Sequence, residues 1–584
     1  MKRRIPWVTV LVLALVGLLV AQGSIAAKPK PKPKKHHKVH KVKPKPKPKP
    51  LTPAQKLARI KHIVIIYEEN HSFDNLYGGW EGVNGVAKAQ SANTTQVSQA
   101  GTAFACLLQN DVNLTSPPQP ADCSDSTTAK PFTSHFKNAP FTIDDFIKPS
   151  DTTCPAPGVF AANGVPKGGG LPGGCTRDLV HRFYQEQYQL DGGRQDRYTT
   201  ASDAAGLTQG IYDTKALPIY AYLHQAGHPG YAIADNFFQA AFGGSFLNHQ
   251  WLVAAASPVW ANAPGDNGPN DLHSIVDANG MPNSSPLYTP TGPVKDQQLT
   301  VKCPAPSPNL ACGDFAVNTS QPTYQPFSPG TAATRQLPPL TNPTIGDRLS
   351  AKGVDWAWYS GGWSNANGDV GAPGWTNGTG PTCSDPNASA AATYPNCPDK
   401  LFQFHHQSFN YFASFAPGTT MRKDHLRDEA EFMTLASGSS STCGLKPVSF
   451  IKPIGAENEH PGYASEANGS NHLVTLLKAI EGGACAKDTM VIVTYDEFGG
   501  EWDHVAPPGQ GTTTAGPHDQ WGPGTRIPAL VLSPFLSSAF VVDSASHDTT
   551  SILATIEHRF GVAALSSRDA AVRDLSSVFT AKKP

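Results

Sequence analysis

The stretch Ile60–Asn75 constrains this chain more than any other. Its centre, Ile63-Val64-Ile65-Ile66, is an unbroken β-branched run that Tyr67 extends, with no polar face. Such a run reads as a strand buried on both sides. It needs cover above and below, which a mainly parallel sheet between two layers of helices supplies. The run stops at Glu69 and Asn70, so an acid and an amide arrive at the carboxyl edge of the sheet. Open α/β sheets bind their ligands at that edge. The design recurs in Met490-Val491-Ile492-Val493-Thr494-Tyr495-Asp496-Glu497. Two strands that bring carboxylates to one edge imply a metal site built from distant parts of the chain.

The rest of the chain fits an α/β reading. Val448–Ile451, Ile527–Leu532 and Val354–Trp358 read as further strands. Leu179–Gln189, Leu217–Gln225, Phe246–Ala255, Asn471–Ile480 and Thr549–Phe560 read as helices. The expectation is one domain over residues 51–584, with a mainly parallel central sheet and helices on both faces. Residues 82–175 and 256–340, rich in Gly, Pro, Asn and Ser, read as long loop insertions.

Ten cysteines fall in neighbouring pairs: Cys106/Cys123, Cys154/Cys175, Cys303/Cys312, Cys383/Cys397 and Cys443/Cys485. An even count at short spacings behind an export signal favours disulfides in an oxidising compartment. No pair has Cys-x-x-Cys spacing, which argues against a zinc finger. Residues 1–26 carry that signal: Lys2, Arg3 and Arg4, an apolar run from Trp7 to Val20, and small residues at Ser24–Ala27. The run is shorter than the roughly 20 residues a spanning helix requires, so a cleaved signal peptide and a secreted or envelope location are expected.

Residues 27–50 form a Lys-Pro repeat that cannot build a core. Residues 1–50 hold 14 of the 46 Lys and Arg and no acid, so residues 51–584 carry 32 basic against 46 acidic side chains. A basic linker therefore precedes an acidic body. The linker suits an anionic envelope surface or serves as a solvated spacer, and the acidic body disfavours nucleic acid.

Phe242-Gly243-Gly244-Ser245 opens a helical pattern. A serine there is a nucleophile backed by free amides and the helix dipole, or a plain N-cap. Histidines recur in polar or turn contexts: His181, His405-His406, His460 beside Pro461-Gly462, and His504 beside Asp503. Asp424-His425 lies on a charged helix and reads as a solvated face.

Taken together, Glu69-Asn70-His71-Ser72-Phe73-Asp74-Asn75, the Gly-Gly-Ser245 turn with Asn248-His249, Asn458-Glu459-His460-Pro461-Gly462, and Thr494-Tyr495-Asp496-Glu497-Phe498-Gly499-Gly500 with Asp503-His504-Val505 resemble the bacterial phosphoesterase family. That family holds acid phosphatases and non-haemolytic phospholipases C with an alkaline-phosphatase-like core. The resemblance spans Leu57 to Val562. His405-His406-Gln407 and the stretch Asp178–Tyr198 look more like the acid phosphatase branch. Ser245 agrees, since the phospholipase branch tends to carry threonine there. The chain departs from the pattern at Glu497, where some members have Asp, and at Ser408, where Pro is expected.

The resemblance implies a phosphoryl-transfer site with one divalent metal ion. It implies Glu69, Asn70, Ser245 and Asp496 as ligands and Ser245 also as nucleophile. His181, His406 and His460 would contact the phosphoryl oxygens or serve the leaving group, with Glu497 nearby. Hard oxygen donors suit such a cation, and coordination activates a weakly nucleophilic hydroxyl. The expected substrate is a phosphate ester. A phosphomonoesterase leads, a phospholipase C is the alternative, and a non-catalytic surface-binding protein is a third reading.

Overall fold

The computed structural model describes all residues except 1–29, 31–48, 108–120, 128–130, 135, 146–147, 150–177, 203–204, 266–267, 269, 278–279, 282–295, 304–309, 439–441 and 512–513. The chain divides into two units, residues 1–50 and 51–584. All regular secondary structure among the described residues belongs to the second unit. The expected signal peptide, nearly all of the Lys-Pro linker, and the Cys154/Cys175 pair lie outside the described residues.

Eight strands form the central sheet: β1 (His62–Glu68), β2 (Tyr231–Ala234), β3 (Trp356–Ser360), β4 (Leu426–Asp428), β5 (Val448–Lys452), β6 (Thr489–Tyr495), β7 (Ala529–Leu532) and β8 (Phe540–Asp543). Their order across the sheet is β4-β3-β5-β1-β6-β7-β2-β8. Only β7 runs against its neighbours; the other pairings are parallel. Every residue of β3, β5, β6 and β7 is buried, so both faces of the sheet are covered, as the apolar runs require.

Five helices matter for the site: α1 (Phe183–Leu190), α2 (Pro218–Leu223), α3 (Ser245–Ala254), α4 (Glu466–Gly482) and α5 (Thr550–Phe560). Helix α2 packs on α4, and α3 on α5. Disulfides join Cys106–Cys123, Cys303–Cys312, Cys383–Cys397 and Cys443–Cys485, the sequence-neighbour pairing. No helix among the described residues is long and apolar enough to cross a membrane.

Three expectations shift. The helix expected over Leu179–Gln189 begins only at Phe183, so His181 sits in the extended segment ahead of it. The strand expected at Val354–Trp358 lies two residues later, and Ile527-Pro528 precede β7. Asp424 is exposed, but His425 is not a solvated side chain. Its ring stacks on Trp356 with centroids 4.4 Å apart, and its Nδ1 donates to the Trp356 carbonyl at 2.7 Å.

Candidate phosphoryl-transfer site

The register of the sheet assembles the site. Strands β1 and β6 pair in parallel with Glu68 opposite Tyr495. The next residue of each, Glu69 and Asp496, therefore leaves the sheet at the same level. Asp496 N donates to Glu68 O at 3.1 Å, and Glu69 N to Asn458 O at 2.9 Å. On the other flank β5 pairs with β1. This lifts Lys452, the last residue of β5, beside the same edge.

Ser245 comes from a different part of the fold. It is the first residue of α3, and Gly244 occupies the N-cap position. The plain N-cap reading therefore fails. The Ser245 hydroxyl points to the sheet edge, where its Oγ lies 3.1 Å from both Glu69 Oε2 and Glu497 Oε1. Gly243, at φ +88°, and Gly244 make this turn fit: a Cβ on Gly243 would meet the Phe183 backbone at 2.8 Å, and one on Gly244 would meet His181 Cδ2 at 2.9 Å. The two glycines thus let the His181–Phe183 segment lie directly on the serine turn. The Asn248 side chain braces the turn, accepting from Ala241 N at 3.0 Å and donating to Gly243 O at 3.2 Å. Glu186 of α1 braces it from behind, accepting from Gly243 N at 2.5 Å and from Thr525 N at 2.6 Å.

The eight residues that the resemblance implies for the site converge here. Asn70 Nδ2 donates to Glu497 Oε1 at 3.0 Å. His181 Nε2 is 3.3 Å from Glu497 Oε1, His406 Nδ1 is 3.2 Å from Glu69 Oε1, and His460 Nε2 is 3.9 Å from Glu69 Oε2. The longer side chain of Glu497 still reaches the serine, and Gly499 N holds its other oxygen at 2.6 Å.

Asp503 and His504 lie elsewhere, in a network with Asp74 and Arg526. Arg526 contacts Asp74 Oδ1 and Asp503 Oδ2, each at 3.1 Å, and His504 Nδ1 meets Asp74 Oδ2 at 2.5 Å.

Two residues were given no role by the sequence reading, although His249 was part of a quoted motif. Lys452 places Nζ 2.6 Å from Glu69 Oε1; its signal was a cation ending an otherwise apolar strand. His249 lies 3.9 Å from Glu69 Oε1 and 3.6 Å from Asp496 Oδ2. Its signal was the four-residue step from Ser245, which puts both on one helix face.

Glu69, Asp496 and Glu497 are fully buried, and each offers an oxygen within 4.8 Å of the others. Burial raises the Asp496 carboxyl well above the usual range, and Glu69 and Glu497 raise it further. Burial also raises Glu497. Asn70 Oδ1 and Asp496 Oδ2 are buried without a hydrogen-bond donor. Crowded acids and orphaned hard oxygens are a donor set that fits a divalent cation.

The imidazoles behave differently. Burial holds His249, His406 and His460 well below the usual imidazole value, with the Lys452 ammonium adding to the effect. His460 Nδ1 lies 2.8 Å from Pro461 O and His249 Nδ1 2.8 Å from Ser245 O. A carbonyl can only accept, so the hydrogen-bond pattern puts the proton on Nδ1 of these neutral rings. Their Nε2 lone pairs then face the carboxylates. His460 thus turns its Nε2 toward Glu69.

Comparison with known sequences identifies the family. The chain matches the profile of the Phosphoesterase family over residues 60–157 and 160–563. The protein belongs to the phosphoesterase family. It is 34% identical over 160 residues to phospholipase C A of Mycobacterium tuberculosis, 24% of this chain and 30% of that protein. It is 31% identical over 167 residues to the non-hemolytic phospholipase C of Pseudomonas aeruginosa, 24% of each chain. It is 30% identical over 139 residues to non-specific phospholipase C6 of Arabidopsis thaliana, 20% of this chain and 26% of that one. The alignments thus span less than a third of each relative. A solved protein of the alkaline phosphatase superfamily from Vibrio parahaemolyticus overlaps 40% of this chain and 50% of its own, with TM-score 0.21 and 14% identity.

Proposed function

We propose that this chain is a secreted, metal-assisted phosphoester hydrolase that works through a phosphoserine at Ser245. The observation that carries the reading is the serine hydroxyl. It opens a helix, does not cap it, and sits 3.1 Å from two buried carboxylates. Glu69, Asn70, Ser245 and Asp496 are the proposed ligands of one divalent cation. A cation there makes the serine hydroxyl more acidic and offsets charge on the phosphoryl group.

The chain's own groups do the rest. Ser245 Oγ passes its proton to Glu497 Oε1 as the Oγ–P bond forms and the bond from phosphorus to the ester oxygen breaks. The free amides of the first turn of α3 face the phosphoryl oxygens. His181, at the mouth between Asp178 and Glu497, gives its proton to the departing alcohol. Water then attacks the phosphoserine and gives a proton to His181, and as the Oγ–P bond breaks Glu497 returns its proton to Ser245 Oγ and phosphate leaves. His460 Nε2 accepts a hydrogen bond from a protonated phosphoryl oxygen, which favours the singly charged monoester present at acid pH. That feature supports an acid phosphatase.

The mouth supports a small alcohol as leaving group. It is a pocket of about 270 Å³ lined in part by Asp178, His181, Arg182, Phe246 and Tyr463. A phospholipase C is the second reading, favoured by the names of the relatives. Purified protein with Zn²⁺, Mn²⁺ or Ca²⁺ separates the two when offered p-nitrophenyl phosphate and phosphatidylcholine across pH. Faster monoester turnover, best below neutrality, is expected; turnover of the lipid alone reverses the order. Ser245→Ala lowers kcat at least about 10³-fold, and a variant that keeps wild-type turnover removes Ser245 as nucleophile.

A further inference from the structure

Glu69 divides its carboxylate between two neighbourhoods. Oε2 faces Ser245. Oε1 faces a second constellation, His406 Nδ1 at 3.2 Å and His249 Nε2 at 3.9 Å. Donor atoms of Glu69, His249 and His406 lie within 4.8 Å of one another, and all three residues are buried. Two ligands of a tetrahedral Zn²⁺, with bonds of about 2.0–2.1 Å, stand about 3.3 Å apart. One carboxylate and two imidazoles with donor atoms this close together are the kinds of ligand that zinc takes.

A cation already stands there. Lys452 Nζ is 2.6 Å from the same Oε1. Its remaining donors reach Tyr67 O at 2.9 Å and Glu68 O at 3.4 Å. The ammonium is 1% exposed and is fixed by the β5–β1 register. We infer that Lys452 replaces a second metal ion: the centre takes one divalent cation and one tethered ammonium, and Glu69, His249 and His406 form a latent metal site that the lysine keeps closed. This rests on the phosphoesterase reading of the centre.

Charge balance supports it. Glu69, Asp496 and Glu497 carry three negative charges when ionised, and one divalent ion with one ammonium offsets all three. A second divalent ion beside Lys452 would leave two buried positive charges in excess, which is costly in a dry site. Unlike a bound ion, the ammonium is not lost to dilution or chelation. Its compact charge suits the role better than the planar guanidinium of arginine.

The test counts metal. Full-length protein is stripped with chelator, equilibrated with excess Zn²⁺, desalted and assayed for zinc per chain, with circular dichroism to confirm folding. Wild type should hold one ion and Lys452→Met two. Adding His249→Leu to Lys452→Met should return the count to one. A folded Lys452→Met protein with the wild-type count overturns the inference. His249→Gln in the wild-type background decides the matter if Lys452→Met does not fold. It should leave the zinc count unchanged, and loss of an ion would mean that a metal already occupies this position. Wild type without zinc would sink the metal reading of the main centre. A Lys452→Met protein that then gained one ion would still support the lysine's role.

Discussion

Two buried polar clusters tie the first strand region of this protein to its last, and they are built on opposite principles. In one, Asp74, Asp503, His504 and Arg526 close on themselves. The Arg526 guanidinium is fully buried, contacts both acids, and donates to Asn84 O and Asp235 O. In the other, Glu69, Asp496 and Glu497 crowd together with one lysine among them, and Asn70 Oδ1 and Asp496 Oδ2 are left without donors. Both clusters draw on Glu69–Asp74 and Asp496–His504, so shared motif membership does not separate them. Satisfaction of charge and hydrogen bonding does. A cluster whose acids are met by its own guanidinium and backbone amides holds the fold, and one that needs a cation from outside is equipped for chemistry.

The sharpest way to break this contrast is to neutralise an acid in the open cluster. Asp496→Asn should cut phosphoester turnover by at least about 10³-fold, because activation of Ser245 goes with the cation. It should also lower the zinc content measured on the folded protein. Its metal-free stability in urea should match or exceed that of wild type, since one crowded carboxylate is gone. A clear loss of metal-free stability would mean that Asp496 serves the fold instead.

The closed cluster should respond in the opposite sense. Arg526→Met leaves Asp74 and Asp503 buried without their cation, a defect of about 3–5 kcal/mol. Urea or thermal unfolding reads that loss directly. Burial already lifts the Asp503 carboxyl to about 6 despite Arg526, so removing the guanidinium pushes it higher. An Arg526→Met protein as stable as wild type would remove the distinction between the clusters.

Glu186 tests the bracing behind the serine turn. Burial lifts its carboxyl from 4.5 to about 7, against hydrogen bonds from Thr525 and Gly243 that pull it down. A raised folded pKa means that the native state binds the extra proton between these values. Stability from this group is therefore intact below about 4.5 and falls as pH rises toward 7, by on the order of 3 kcal/mol over the window. Glu186→Gln should flatten the slope of unfolding free energy against pH between 4.5 and 7. An unchanged slope would place the native proton elsewhere.

The parts of this architecture that the sequence made readable are those where one physical demand dominates. Strands β1, β5 and β6 are mostly apolar and buried throughout their centres, and burial on both faces leaves little other choice. Glu69, Asn70 and Asp496 could be singled out because each breaks such a run at its carboxyl end. Strands β2, β4 and β8 went unread because they are short: Tyr231–Ala234 has four residues, Leu426–Asp428 has three, and Phe540–Asp543 alternates between buried and partly buried positions. Tertiary pairing, not local pattern, makes them strands. Lys452 was missed because a lysine after an apolar run usually marks the exit to solvent. The sheet register instead turns it inward against Glu69. The proton positions on His249 and His460 depend on carbonyls met only in the fold.

The finest test of the comparison lies at Gly244. Its backbone is ordinary, at φ −96°, so an alanine there carries no conformational strain, and any effect must come from contact. The added methyl would sit 2.9 Å from His181 Cδ2 and 3.0 Å from His181 O. The His181 segment must yield by a few tenths of an ångström, just where His181 faces Glu497 and the leaving group. Gly244→Ala should lower kcat by about 10- to 100-fold, since a displacement near 1 Å costs about 10². Unfolding free energy should fall by only about 1–2 kcal/mol, within the usual range for a single substitution. The zinc count should stay at the wild-type value, because no proposed ligand moves. If zinc is lost along with turnover, the methyl has displaced Ser245 rather than His181, and the serine turn belongs to the metal cradle more tightly than to the histidine beside it.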